Sequence, residues 1–261
     1  CDVCLVGSEM CIRDSFREED LFEHEGLWRC FGVHSRVAGT SKNDTLEGMN
    51  RAFEAFGRSL AQASHIVMTL GTAFAFRYLE KDMMVANCHK LPQQQFRREL
   101  SPVEELIHSL ENTLAAIREI NPGCQILLTV SPVRHVRDGL VENQRSKAHL
   151  IAAVHHVARG GSIHYFPAYE LLMDELRDYR FYKRDLIHPT EQAVDFVWEK
   201  FIEAWVDPVA IPVMKRVEAI RKQMAHRDAR ATESSGVDTN AFLKEKAEAL
   251  SAEYPFIQFD L

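Results

Sequence analysis

The chain has 261 residues, 46% hydrophobic and 26% charged, with 12 Gly and 9 Pro. That composition excludes a disordered, collagenous or metal-stapled protein, and the length suits one large domain or a domain with an appendage. Lys+Arg 31 against Asp+Glu 38 leaves a net charge of −7, which argues against a nucleic-acid partner or an anionic-membrane surface. The longest run without a charged residue, Ser59–Phe76, holds Gln62, Ser64, His65, Thr69, Gly71 and Thr72, so no membrane span is expected. The cysteines at 1, 4, 11, 30, 88 and 124 show no framework spacing and no signal peptide is visible; reduced thiols in a cytoplasm are the expectation.

The first fifteen residues, Cys1 to Ser15, have neither strand nor helix period and pack three thiols beside Met10. They resemble a translated sequencing adaptor and are set aside, which removes Gly7-Ser8 from the search for a nucleophile. From Asn43 apolar residues recur at three and four (Leu46, Met49, Phe53, Phe56, Leu60, Ala63), a helix that Asn43, Asp44 and Thr45 would cap. Ile66–Leu70 reads as a buried strand closed by Gly71, and Met83–Ala86 as a further short strand. Ser101-Pro102-Val103-Glu104 reads as a capping box that opens a helix to Ile120, stopped by Asn121-Pro122-Gly123.

Gln125–Val130 is the second buried strand, followed by a helix from Asn143 to Ala158, a third strand Ile163–Phe166, and helices over Tyr169–Leu176 and Thr190–Trp205. Strands alternating with long helices mean crossover connections and a parallel sheet covered by helices on both faces. After Asp207-Pro208 an amphipathic helix Val209–Arg230, a linker Ala231–Thr239 and a helix Ala241–Ser251 form a helical appendage. The domain reading is therefore residues 1–15 adaptor, 16–206 an α/β domain, and 207–261 a helical extension.

In such a sheet ligands sit beyond the carboxyl ends of the strands. The polar residues there are Gly71 and Thr72, then Ser131, Arg134 and His135, then Tyr169 and Glu170. Asp185 and His188 stand three apart in a loop. That spacing lets a carboxylate fix an imidazole tautomer for general-base work, and equally lets Asp185 cap a turn beside a packing histidine. Cys88-His89 with Asn87 has no second ligand pair, so no metal is expected. Cys88 as a nucleophile for His188 is a lesser alternative. His155 and His156 are expected on a helix surface. Arg134, Arg145, Lys147, Arg177 and Arg180 either converge on an anionic substrate or, the preferred reading, are solvated or paired with Glu170, Asp174 and Asp178.

Thr69-Leu70-Gly71-Thr72-Ala73, Val85-Ala86-Asn87-Cys88-His89-Lys90, Thr129-Val130-Ser131-Pro132-Val133-Arg134-His135, Asn143–Ala148, Tyr165–Glu170, Asp174–Tyr182 and Asp185-Leu186-Ile187-His188-Pro189 resemble, in that order, the blocks of the GSCFA family. Trp28 and His34-Ser35 resemble its earlier block. The family is similar to SGNH-type hydrolases, so the resemblance implies a three-layer α/β/α, flavodoxin-like parallel sheet, incomplete at the N-terminus here, and cleavage of a small-molecule or carbohydrate ester without cofactor. It implies His188 as general base and Asp185 as its orienting carboxylate. Gly71 and Thr72 fall where those hydrolases carry a Gly-x-Asn-Asp block. Ala73 and Phe74 replace the Asn-Asp pair, which leaves Asn87 as a substitute oxyanion donor and His89, Ser131 and His135 as pocket candidates. The family's Gly-Ser-Cys-Phe-Ala stretch should lie well before Trp28. Ser8 is followed by Glu9-Met10 and is rejected, so the nucleophile is expected upstream of this sequence. The rival expectation is a carbohydrate- or acyl-binding module that kept the pocket without the chemistry.

Overall fold

A computed structural model describes residues 15–230 and 237–259. The segment with Ser8 and most of the expected linker, residues 231–236, lie outside them. Two compact units divide the chain, Cys1–Val197 and Trp198–Leu261.

The first unit opens with a hairpin that the sequence reading did not contain, β1 Leu21–His24 against β2 Leu27–Cys30. Glu25 and Gly26 both take positive φ, 53° and 71°, as a two-residue turn matched to strand twist requires. Helix α1, Lys42–Gln62, is capped by Ser41, whose Oγ accepts from the Asp44 N–H at 3.3 Å, and not by Asn43, Asp44 or Thr45, which lie inside the helix. Strand β3, His65–Leu70, follows. Then comes a small antiparallel sheet of β4 Phe74–Tyr78, β5 Met83–Val85 and β6 Phe96–Leu100, in order β5-β4-β6. Only β5 was legible beforehand.

Helix α2, Val103–Ile120, starts one residue later than expected: Pro102, read as its first helical position, occupies the N-cap, and no side chain caps it. Ser101 instead carries a backbone link, its N–H donating to Ala73 O at 3.0 Å. At the other end Asn121 does more than stop the helix: its Nδ2 donates to Leu60 O and Ala63 O, satisfying carbonyls left over at the end of α1. Strand β7 Gln125–Val130, helix α3 Leu140–Val157 and strand β8 Ile163–Phe166 complete the alternation. The segment after β8 is a short helical turn, Ala168–Glu170, continued by a wider π-type turn, Leu171–Glu175. Helix α4, Glu191–Trp205, closes the unit and crosses the division. Thr190 does not cap it with its side chain, because Thr190 Oγ1 is buried without a partner.

The fold is α/β, with β3, β7 and β8 forming a parallel sheet in the order β3-β7-β8. Leu70 pairs with Val130 and Leu128 with Tyr165, so all three strands end on one side. Leu106, Leu110, Leu114 and Ile117 of α2 and Leu150, Ala153 and Val154 of α3 pack on Ile126, Leu128, Val130 and Leu70. Strand β7 is buried on both faces, as its unbroken apolar run implies. Strand β3 departs from expectation. Ile66, Met68 and Leu70 turn toward the core, while His65, Val67 (54% exposed) and Thr69 face solvent. It is an edge strand among the described residues, and alternation sends every second side chain to a face that nothing described covers.

In the second unit α5, Ile211–Arg230, and α6, Val237–Glu253, share a core of Ile220, Leu243, Ala247 and Leu250. The second helix begins earlier than Ala241 and takes in part of the expected linker. No described helix is long and apolar enough to cross a membrane.

Candidate active site

The loop Tyr182–Pro189 is closed on itself. Lys183 N–H donates to His188 O at 2.8 Å, Leu186 N–H to Lys183 O at 2.9 Å, and Tyr182 bridges Pro189. Inside it Asp185 forms an Asx turn, Oδ1 accepting from the N–H of Ile187 at 2.9 Å and of His188 at 3.0 Å. This requires Leu186 to adopt φ of +56°, a conformation a branched side chain seldom takes and one that tertiary contacts must hold. Arg134 supplies them: its Nη1 donates to Leu186 O at 3.0 Å, its N–H to Ile187 O at 3.4 Å, and its guanidinium stacks on Tyr182, 4.1 Å from the ring centre.

The second oxygen of the same carboxylate meets the imidazole, Asp185 Oδ2 to His188 Nδ1 at 2.7 Å. The turn-capping and histidine-orienting readings are therefore both true of Asp185. The His188 hydrogen bond first, and then the two backbone N–H groups, hold the Asp185 carboxyl well below the usual carboxylate range. The aspartate is ionised, so the contact favours a proton on Nδ1, and Nε2 of His188 has no hydrogen-bond partner among the described residues.

Four other candidates, Gly71, Thr72, Ser131 and His135, gather at the ends of β3 and β7. His135 N–H donates to Asn143 Oδ1 at 2.8 Å, and its ring stands over Gly71, where a Cβ would lie 3.4 Å from His135 Nε2. Burial first, then the charges of Lys147 and Arg98 and the neighbouring His188, push the His135 imidazole below its ordinary value, so it is neutral near pH 7. Ser131 N–H completes the strand ladder onto Leu70 O, and its Oγ accepts from Val133 N–H at 3.2 Å. Thr72 Oγ1 lies 3.0 Å from Ser146 Oγ.

Asn87 and His89 sit elsewhere, against the small sheet. Asn87 Oδ1 accepts from His89 N–H at 2.8 Å. His89 is buried, with Nε2 2.6 Å from Cys30 O and Phe22 and Phe31 beside its ring. No hydrogen bond or ring contact joins either to Asp185 or His188 among the described residues. Cys88 packs with the same aromatic cluster, and burial raises its thiol, which disfavours the thiolate.

Sequence reasoning missed what holds the strand ends together. Asn143, Ser146 and Lys147 are buried polar residues on one face of α3, continued by Leu150, Ala153 and Val154. Lys147, expected among the solvated or ion-paired cations, is 1% exposed and donates to Gly71 O at 2.5 Å and Ser131 O at 2.6 Å. Burial pushes its ammonium down to about 8. Ser146 Oγ accepts the Ala73 N–H at 2.7 Å. The available signal was three polar side chains at i, i+3 and i+4 where the stripe should be apolar. Of the remaining cations Arg145 pairs with Glu142 and Arg180 with Asp178; separately, His155 is exposed and packs its ring on Tyr165.

With that geometry in view, residues 6–201 match the model of the GSCFA family. The match begins inside the segment set aside in reading the sequence and runs past the Asp185–His188 loop. No curated protein matches the chain.

Proposed function

The chain belongs to the GSCFA family, and from that premise we propose that it is a serine ester hydrolase of the SGNH-like kind, with His188 as general base and Asp185 as the carboxylate that orients it. The observation that carries the proposal is the 2.7 Å bond from Asp185 Oδ2 to His188 Nδ1 with Nε2 left open. In this reading a serine hydroxyl, contributed from outside the described residues, attacks the acyl carbon while His188 Nε2 takes its proton. The tetrahedral oxyanion collapses, the alcohol leaves with the proton from His188, and water then cleaves the acyl-serine by the same route. His135, neutral and fixed over Gly71, is the donor we assign to the oxyanion in place of the absent Asn-Asp pair. Asn87 is a poorer choice because it lies against the small sheet, with no hydrogen bond to Asp185 or His188 among the described residues.

The test, made on a protein that carries the serine of this reading, is hydrolysis of p-nitrophenyl acetate together with labelling by a fluorophosphonate, whose adduct, located by peptide mapping, identifies the serine. We expect His188→Ala to lower hydrolysis on the order of 10³-fold or more and to abolish labelling. Equal rates for the two proteins would overturn the assignment. A second reading, a carbohydrate- or acyl-binding module on the same fold, draws on Ala73 and Phe74 standing where the Asn-Asp pair belongs. Saturable binding of an ester with neither turnover nor adduct would select it.

A further inference from the structure

Beside the Asp185–His188 loop lies a cavity of about 200 Å³ whose apolar lining is Leu172, Met173 and Leu176. Tyr179 and Tyr182 add aromatic side chains to the lining, and Arg134 and Arg177 add two cations. The cavity and the candidate base share supports. Arg134 lines the cavity and also holds Leu186 and Ile187 by their carbonyls, while Tyr182 lines it and bridges Pro189, the residue after His188.

The charges of this lining are unequal. Asp178, the lining carboxylate, is engaged by Arg180, whose Nη2 lies 3.5 Å away and whose N–H donates to Oδ1 at 2.8 Å. Neither Arg134 nor Arg177 has an ion pair among the described residues. Arg134 is half-buried on Tyr182, and its guanidinium donates to Leu186 O and to the Tyr182 side chain without meeting a carboxylate. Two guanidinium groups in one lining with apolar and tyrosine side chains match a ligand with an anionic head on a short apolar arm.

We propose that this cavity is the subsite for one arm of the substrate, and that the substrate is an ester carrying a carboxylate or comparable anion at the end of a short apolar chain, read by Arg134 and Arg177. The inference rests on the ester-hydrolase reading for the role of the site, but not for the binding itself. Of the five cations that could have converged on an anion, Arg134 and Arg177 line this one cavity; Arg145, Lys147 and Arg180 have other partners.

The experiment measures binding of monomethyl glutarate and of its uncharged counterpart dimethyl glutarate to the full chain, by calorimetric titration at low and at high salt. The monoester is expected to bind about tenfold more tightly at low salt, with the preference shrinking as salt is added. Arg177→Gln should abolish the preference and leave dimethyl glutarate binding as it was; Arg177→Lys should keep part of it. Arg177 is exposed, so both variants should show the wild-type circular dichroism. Equal binding of the two esters, binding of neither, or a preference that survives Arg177→Gln overturns the subsite. The two readings fail separately. Charge-selective binding by the full chain, with neither hydrolysis nor a fluorophosphonate adduct in the protein that carries the serine, keeps the subsite and removes the hydrolase. Hydrolysis without charge selectivity does the reverse.

Discussion

Asp185 holds His188 at two points, the imidazole Nδ1 at 2.7 Å through Oδ2 and the backbone N–H at 3.0 Å through Oδ1. One carboxylate thus shapes the turn and sets the tautomer of the ring the turn presents. Asp185→Asn should keep an oxygen for the backbone N–H groups but lose the charge that faces the imidazole. On the hydrolase reading the expected loss in kcat is on the order of 10³–10⁴-fold with little change in Tm. Nitrogen-15 shifts of His188 should report the proton moving off Nδ1. A variant that keeps both the rate and the tautomer would show that the contact is a turn cap alone.

The same carboxylate sets an expectation for acid pH. Its hydrogen bonds to the His188 ring and to the Ile187 and His188 N–H groups favour the charged form and lower its protonation range. A lowered folded value means the stabilisation is complete above the ordinary range and is lost only as pH falls through the lowered one. The Asp185–His188 contact should therefore persist through mildly acid solution. Two-dimensional carbonyl–carboxylate spectra of Asp185 should show no protonation between pH 4 and 7, and a midpoint near the ordinary value would contradict the contact.

Lys147 is the counterpart beneath the strand ends. Lys147→Met removes the donor to Gly71 O and Ser131 O, and stranding buried acceptors costs about 1–3 kcal/mol. The pH dependence is more specific. Burial pushes the folded value down to about 8 from 10.5, so between those values the unfolded chain holds a proton that the folded chain has released. Stability from this group rises with pH across that window and is flat below it. The stability difference between wild type and Lys147→Met, followed by denaturant unfolding, should widen in favour of wild type from pH 8 to 10.5. His135 should also titrate at higher pH in the variant, since one of the positive neighbours holding it down is gone. A parallel pair of stability curves would overturn the assignment of a buried ammonium.

The parts of this structure legible in the sequence were those with one strong period. The unbroken apolar run of Gln125–Val130 announced a central parallel strand, and the three-four spacing of Val103–Ile120 announced its helix. The hairpin Leu21–Cys30 and the strands Phe74–Tyr78 and Phe96–Leu100 were hidden because each is short and mixes Phe with Arg or Glu. What decides them is cross-strand pairing, such as Phe76 opposite Arg98, which no local window contains. Asp185 and His188 were legible because their relation is local. Ser146 and Lys147 were not, because their partners Gly71, Thr72 and Ala73 lie on the far side of a long crossover, and Asn143 was not because it meets the His135 N–H only once the loop after β7 has folded back.

Ser146 offers a test of that hidden support. Its Oγ accepts the Ala73 N–H at 2.7 Å in a buried setting, so Ser146→Ala leaves that amide without an acceptor. The expected cost is about 1–3 kcal/mol, and hydrogen exchange at Ala73 should accelerate more than at Ile126 in the centre of the sheet. Uniform acceleration would mean the hydroxyl supports only global stability and not the loop that follows β3.

The edge strand gives the last prediction. Val67 is 54% exposed, whereas Leu128, its neighbour across the β3–β7 ladder by one register step, is fully buried against α2 and α3. Both lie in runs that read as buried strand from sequence alone. Leu128→Ala should cost about 2–5 kcal/mol through lost transfer energy and the cavity left behind. Val67→Thr keeps the branching that suits a strand and adds a hydroxyl where solvent can reach it, so its effect should stay within about 0.5 kcal/mol. Urea unfolding of the two variants separates the cases. A penalty at Val67 as large as at Leu128 would show that something covers this face of β3 in solution, and the edge would then be an interface.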